Sequence, residues 1–274
     1  MKKLRTFAVS MIVAALGLLI YCAGFYIKSY EQNLAAKQEY AELSRMAGVK
    51  NRADAGLLAD APQNAEDSST KNSEKKRRKK QRRSSESKNK NHADEIRESF
   101  GISWENLRKI NSQTVAWITV PGADISYPVV QAADDEYYLK HNFRGEEDLF
   151  GCIFLEHDIK KNFTDSHSIL YGHNIEGNMM FANLNRYEQP EFLEKCPQFE
   201  IVTPEKKLVY DIFSVEQASS HSPAFEYGYE LSSSAYKRQL SVLKNNSMYD
   251  TGVESDETER MVTLITCNSQ LDKE

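Results

Sequence analysis

Two residues invite chemistry. Cys267 closes the apolar run "MVTLITC" (Met261–Cys267) and is followed by polar Asn268, Ser269 and Gln270, a pattern that sets a thiol at the solvent end of a strand. His173 stands in the same relation to "SILYGHN" (Ser168–Asn174), where an apolar strand breaks at Gly172 and leaves His173 and Asn174 beyond it. A thiol attacks only as its thiolate, and a nearby imidazole is the usual means of populating one. The pair therefore implies nucleophilic catalysis by an activated cysteine. A second reading stays open at this point, in which a lone Cys and a lone His, 94 residues apart, are each structural.

The other chemistry-bearing residues are less expressive. Cys22 lies in an apolar N-terminal run, Cys152 inside the strand-like "GCIFLE", and Cys196 beside Pro197 in a loop-like stretch. An odd set of three outside the apolar run implies at least one free thiol. No two show metal-ligand spacing, so no metal is expected, and nothing in the chain calls for a cofactor. There is no Gly-rich phosphate loop, no paired-carboxylate signature and no internal repeat.

The elements that must position Cys267 and His173 occupy only part of the chain. The formal charge of −5 hides an asymmetry: residues 1–92 carry 19 Lys+Arg against 9 Asp+Glu, and residues 93–274 carry 16 against 31. A basic first third joined to an acidic remainder implies two environments. Residues 7–27, "FAVSMIVAALGLLIYCAGFYI", form an uncharged run of bilayer-spanning length. Lys2, Lys3 and Arg5 precede it, so the expectation is a single-pass signal-anchor in the cell membrane, with residues 1–6 cytoplasmic and the rest external. The alternative is a cleaved signal peptide, whose apolar core would be shorter and would end in a small-residue cleavage site.

Residues 28–50 have the composition of a helical stalk. Residues 51–92 lack aromatics after Asn51 and are rich in Ser, Asn, Lys and Arg, which predicts disorder. The basic run "KKRRKKQRR" (Lys75–Arg83) within them would suggest nucleic acid in an intracellular chain. On an exported chain it suits anionic wall polymer or lipid headgroups, or serves only to keep the linker extended, and no nucleic-acid partner is expected.

The folded domain is expected over residues 93–274. Ala93–Asn111 has helix-like apolar spacing, with Gly101 as a point of division. From Val115 the pattern turns to short strands. "VAWITVPGADISYPVV" predicts a hairpin about Pro121–Gly122, and "GCIFLE", "SILYGH", "FEIVT", "LVYDIFSV" and "MVTLITC" add further strands. Ser233–Asn246 reads as one amphipathic helix, with Tyr236, Leu240 and Leu243 on its apolar face. The fold class is mostly β, a barrel or sandwich with few helices.

"TLITC" (Thr263–Cys267) with "YGHN" (Tyr171–Asn174) resembles the sortases, the cysteine transpeptidases of Gram-positive-type surfaces. The resemblance extends through "WITVPGADISYPVVQ" (Trp117–Gln131), "YYLKHNF" (Tyr137–Phe143), "GCIFLE" (Gly151–Glu156) and "MYDTGVE" (Met248–Glu254), in family order. The Tyr before Gly-His and the helix before the Cys strand look like class B. The resemblance implies a closed β-barrel of about eight strands with N-terminal helices and a peptide groove. It implies that Cys267 attacks the Thr carbonyl of a C-terminal sorting signal, with His173 protonating the departing amine. An amino group of a peptidoglycan precursor then resolves the thioester, which attaches the surface protein to the wall. Class B signals are generally of the Asn-Pro-x-Thr type, and Tyr171 and Leu139 match positions that line the groove. The family also carries an Arg on a closing strand after the Cys, and the sequence ends at Glu274 before a match to it. The resulting alternative is a domain that binds sorting signals without efficient turnover.

Overall fold

A computed structural model describes residues 2–49, 101–175 and 177–266. The chain divides into two compact units, Met1–Leu43 and Ser44–Glu274. The first is the bulk of one long helix, α1 (Lys2–Met46), which ends before the predicted stalk over residues 28–50 does. Among the described residues, no helix is long and apolar enough to cross a membrane. The single-pass anchor, and with it the placing of residues 28–274 outside a membrane, is therefore corrected. The apolar run fills only the first part of α1, a helix of 45 residues. Beyond Ile27 the helix is interrupted by Lys28, Glu31, Lys37, Glu39, Glu42 and Arg45. The linker predicted over residues 51–92, its basic run and the helical stretch before Gly101 lie outside the described residues.

The second unit opens where α1 stops. Gly48, at φ +75°, supplies the left-handed residue that ends the helix, with Gly48 N–H bonded to Arg45 O and Val49 N–H to Ser44 O. After Gly101, also at positive φ, a short helix α2 (Trp104–Ile110) buries Trp104 and Leu107.

The remainder is mostly β. Strands β1 (Thr114–Val120), β2 (Ile125–Val130), β3 (Ile153–Leu155) and β4 (His167–Gly172) are followed by a small pair, β5 (Asn174–Ile175) and β6 (Met179–Met180). A helix α3 (Pro190–Lys195) leads to β7 (Gln198–Val202) and β8 (Lys207–Asp211). Helix α4 (Ser234–Asn246) then precedes β9 (Met261–Thr266). Seven strands form one sheet in the order β8-β7-β1-β2-β3-β4-β9, curled into a nearly closed barrel. Two neighbour pairs, β2·β3 and β4·β9, are parallel.

β1 is an interior strand and reads as a near-continuous buried run, which suits a strand covered on both faces. Its hairpin with β2 turns at Pro121–Asp124, with Gly122 at φ +81°. A Cβ there would run into Cys196 Sγ, so Gly122 is required both for the turn and for the thiol packed on it. Asn183 and Arg186 donate to the carbonyls of Ala123 and Gly122 and hold the turn down.

Helix α4 is capped by Ser233, whose hydroxyl accepts from Tyr236 N–H. Its inward face carries Tyr236, Gln239, Leu240 and Leu243, and packs with Met261, Ala224 and Phe213. Beneath it lies a wholly buried histidine at the head of β4. His167 Nδ1 donates to Glu226 O (2.6 Å), and its Nε2 accepts from the Thr263 hydroxyl (2.7 Å). Burial lowers its pKa to about 4, against a partly opposing backbone bond from Glu226. As the pH falls, the unfolded chain therefore binds this proton before the folded one does. Stability should be intact above about pH 6.5 and should decline towards pH 4, by at most about 3 kcal/mol from this group. Melting temperatures of the wild type and of His167→Gln across that range check this, with a flatter profile expected for the variant.

Candidate active site

The long parallel pairing of β4 with β9 builds this end of the barrel. Six registers run from His167↔Met261 to Gly172↔Thr266. β4 ends at Gly172, where a Cβ would strike Ile153 Cδ1 and lie 2.8 Å from the Phe181 ring. The chain then turns, and His173 begins the short β5–β6 excursion, with its carbonyl accepting from Phe181 N–H (3.0 Å). Cys267, the residue after Thr266, lies outside the described residues.

His173 is half-buried, and its Nε2 lies 2.7 Å from the Leu139 carbonyl oxygen. A carbonyl can only accept, so Nε2 carries the proton. Nδ1 has no hydrogen-bond partner among the described residues and is the nitrogen available to exchange a proton. Leu139 ends a short 3-10 turn, Tyr137–Leu139, which Asp134 opens by accepting from the N–H groups of Glu136 and Tyr137. Its contribution to His173 is thus made by the main chain.

Tyr171 sits on β4, two residues before His173. Its ring stacks on Phe154 at 5.2 Å, and its hydroxyl donates to Glu156 Oε2 (2.8 Å). Burial first, and the Glu156 carboxylate second, push the phenol pKa well up, so Tyr171 acts only as a neutral donor. Leu139, Tyr171 and Thr266 border one open cavity of about 1530 Å³, which continues along β8 and β9 past Leu208, Tyr210 and Met261.

Several residues around His173 and Tyr171 were not singled out by the sequence. Gly151, at φ +56°, leaves the space in which His173 and Leu139 meet: a Cβ there would run into the Tyr138 carbonyl and come within 3.2 Å of both His173 Cδ2 and Leu139 O. Glu156 is buried under the hydroxyls of Tyr171 and Tyr227. Gly151 and Glu156 are the two ends of "GCIFLE", a motif whose strand pattern drew attention to its middle. Asp135, Glu156 and His157 place three ligand-type atoms within 4.8 Å of one another, and those atoms are already engaged with each other.

Cys152 and Cys196 are buried, the first near the His141 carbonyl and the second against the β1–β2 turn. Arg186 and Arg260 are spent on the carbonyls of Gly122 and Thr164.

A β-barrel with a histidine poised at the end of a parallel strand pair, next to the strand leading into a cysteine, has counterparts. Residues 118–274 match the family model of the sortase domain. The chain is 31% identical over 169 residues to sortase B of Listeria monocytogenes, covering 62% of this chain and 68% of that protein. To sortase B of Staphylococcus aureus it is 29% identical over 176 residues, covering 64% and 70%. Among solved structures, Clostridium perfringens sortase B superposes with a TM-score of 0.56 at 32% identity, covering 61% of this chain and 91% of that one. A Staphylococcus aureus sortase B–substrate complex gives 0.59 at 26% identity, covering 69% and 88%. The chain belongs to the sortase family of cysteine transpeptidases, which act on surface proteins bearing sorting signals and on peptidoglycan. Its relatives and structural neighbours place it with the class B members.

Gly151→Ala should combine left-handed strain with a collision against the turn that bonds His173, together worth about 2 kcal/mol or more. A fall of at least about 4 °C in melting temperature is expected, with a loss of activity exceeding that of equally destabilised surface variants. Calorimetry and a peptide-cleavage assay on the same samples measure both.

Proposed function

We propose that Cys267 is the nucleophile and His173 the general acid of a transpeptidation that cleaves a sorting signal after Thr. The observation that carries this reading is the β4·β9 register. With Gly172 opposite Thr266, His173 and Cys267 are the residues that follow in sequence the ends of two neighbouring strands, and such strands lie about 4.8 Å apart. His173 Nδ1 takes the thiol proton of Cys267, the resulting thiolate adds to the Thr carbonyl, and the tetrahedral adduct collapses as that proton passes from Nδ1 to the departing amine. Leu139 O, fixed on Nε2–H, orients the ring for that transfer. An amine of a peptidoglycan precursor attacks the thioester, gives up a proton to the imidazole and releases the thiolate. Tyr171 and Leu139 line the groove that receives the signal, for which an Asn-Pro-x-Thr peptide is the proposed class.

Cys267→Ala should abolish the acyl-enzyme, whereas Cys152→Ala and Cys196→Ala should retain it. His173→Ala should lower kcat by about 10²-fold or more. Mass spectrometry of the trapped adduct on an Asn-Pro-x-Thr peptide locates the thioester. A thioester on Cys152 or Cys196 overturns the assignment, and saturable peptide binding without any thioester would make this a binding module.

A further inference from the structure

His173 is held from two directions, and both lead to the same three side chains. On one side its Nε2–H meets Leu139 O. The turn carrying Leu139 begins beside Asp135, which spans to the far strand end: its Oδ1 accepts His157 N–H (2.8 Å), and its Oδ2 lies 2.7 Å from His157 Nδ1. On the other side, Tyr171 precedes His173 by two residues and is tied to Glu156 Oε2 at 2.8 Å. Glu156 Oε1 is in turn 2.8 Å from His157 Nδ1. The contacts close a ring through Asp135, His157, Glu156, Tyr171, His173 and Leu139.

We propose that Asp135, Glu156 and His157 form a polar brace that positions His173 for proton transfer, fixing at once the strand that carries the imidazole and the carbonyl that selects its tautomer. They are positioning residues, because none touches His173 itself. The proposal rests on the reading of His173 as the general acid.

Chemistry supports geometry here. A buried carboxylate beside a second carboxylate is costly unless a cation or a proton offsets it, and His157 lies between the two. Burial, then the hydrogen bond with Asp135, raises the pKa of Glu156. Against burial, hydrogen bonds from Glu156 and His157 hold Asp135 low, and Asp135 raises His157. Asp158 faces the other ring nitrogen of His157 at 3.4 Å, and the Tyr227 hydroxyl is 3.4 Å from Glu156 Oε1. The brace is thus an ion pair of Asp135 with His157, backed by a Glu156 that holds its proton readily. Small displacements suffice to matter, since misplacing a catalytic group by about 1 Å costs on the order of 10²-fold in rate.

The test uses the 274-residue chain with ¹⁵N-labelled histidine, comparing wild type with Asp135→Asn, His157→Gln and Glu156→Gln. Long-range ¹H–¹⁵N spectra report the tautomer of His173, identified by its loss in His173→Ala. The brace predicts an Nε2–H form in the wild type and a mixture of tautomers in the variants. It also predicts a kcat lowered about 10-fold or more, with KM for an Asn-Pro-x-Thr peptide changed by less than about 3-fold. Asp165→Asn removes a comparable ion pair with Lys160 elsewhere on the barrel and should move neither readout. Asp135 and His157 are partly exposed, so their variants decide the matter even if Glu156→Gln fails to fold. An unchanged tautomer and kcat in folded Asp135→Asn and His157→Gln overturn the brace. A shifted tautomer alongside full turnover by His173→Ala would instead uphold the brace and overturn the catalytic reading of His173.

Discussion

The site depends on one pairing. β4 and β9 are separated by most of the domain in sequence, yet lie side by side and parallel over six registers. A parallel neighbour cannot be supplied by a tight turn, so the chain between them must cross the barrel, and here it does so through β7, β8 and α4. A slip of one residue would turn every β9 side chain to the opposite face and move Thr266 away from Gly172. The register is therefore what brings the ends of the two strands, Gly172 and Thr266, side by side.

Much of the polar core exists to hold that register. Tyr236 donates to the Glu259 carbonyl at 2.9 Å, with the Ser166 carbonyl at 3.0 Å, so α4 clamps the chain just before β9 and just before β4. Met261 N–H bonds Ser166 O, and Thr263 meets His167 across the pair. Gln239 donates to the carbonyls of Pro223 and Glu226, which anchors the connection under the helix. These are buried, directional bonds. They specify alignment where apolar contacts alone would tolerate sliding.

The strands themselves were legible, because each is a short apolar or alternating run: every one of the six quoted runs contains a strand, although β8 stops at Asp211 and leaves the second half of "LVYDIFSV" irregular, and the Ser233-capped helix lies where the pattern put it. His173 was legible for the same reason, as a residue left over where a strand breaks. What sequence could not show was its partner: Leu139 acts through its carbonyl, and a main-chain acceptor leaves no mark on residue type. Gly151 and Glu156 were hidden by their company, a glycine before a strand and a carboxylate after one being common boundaries. Asp135 and His157 form a contact between segments 22 residues apart that no periodicity encodes. The N-terminal run misled because hydropathy was read over Phe7–Ile27 as a block, while the described apolar side chains give way at Lys28 to a helix that continues as a charged one.

The two histidines of β4 show how far environment decides role. His167 and His173 stand just inside and just beyond the same strand, six residues apart. His167 has an acceptor on one nitrogen and a hydroxyl donor on the other, in full burial, so both protonation sites are committed and the ring is held neutral. His173 has a carbonyl on one nitrogen and, among the described residues, no hydrogen-bond partner on the second. That difference leaves one imidazole held at both nitrogens and the other at one. It arises from where the strand stops. β4 runs on past His167 under α4 and ends at Gly172, whose missing side chain lets the strand close against Phe181 and turn outward. The glycine that terminates the strand thus also releases the residue after it from the core.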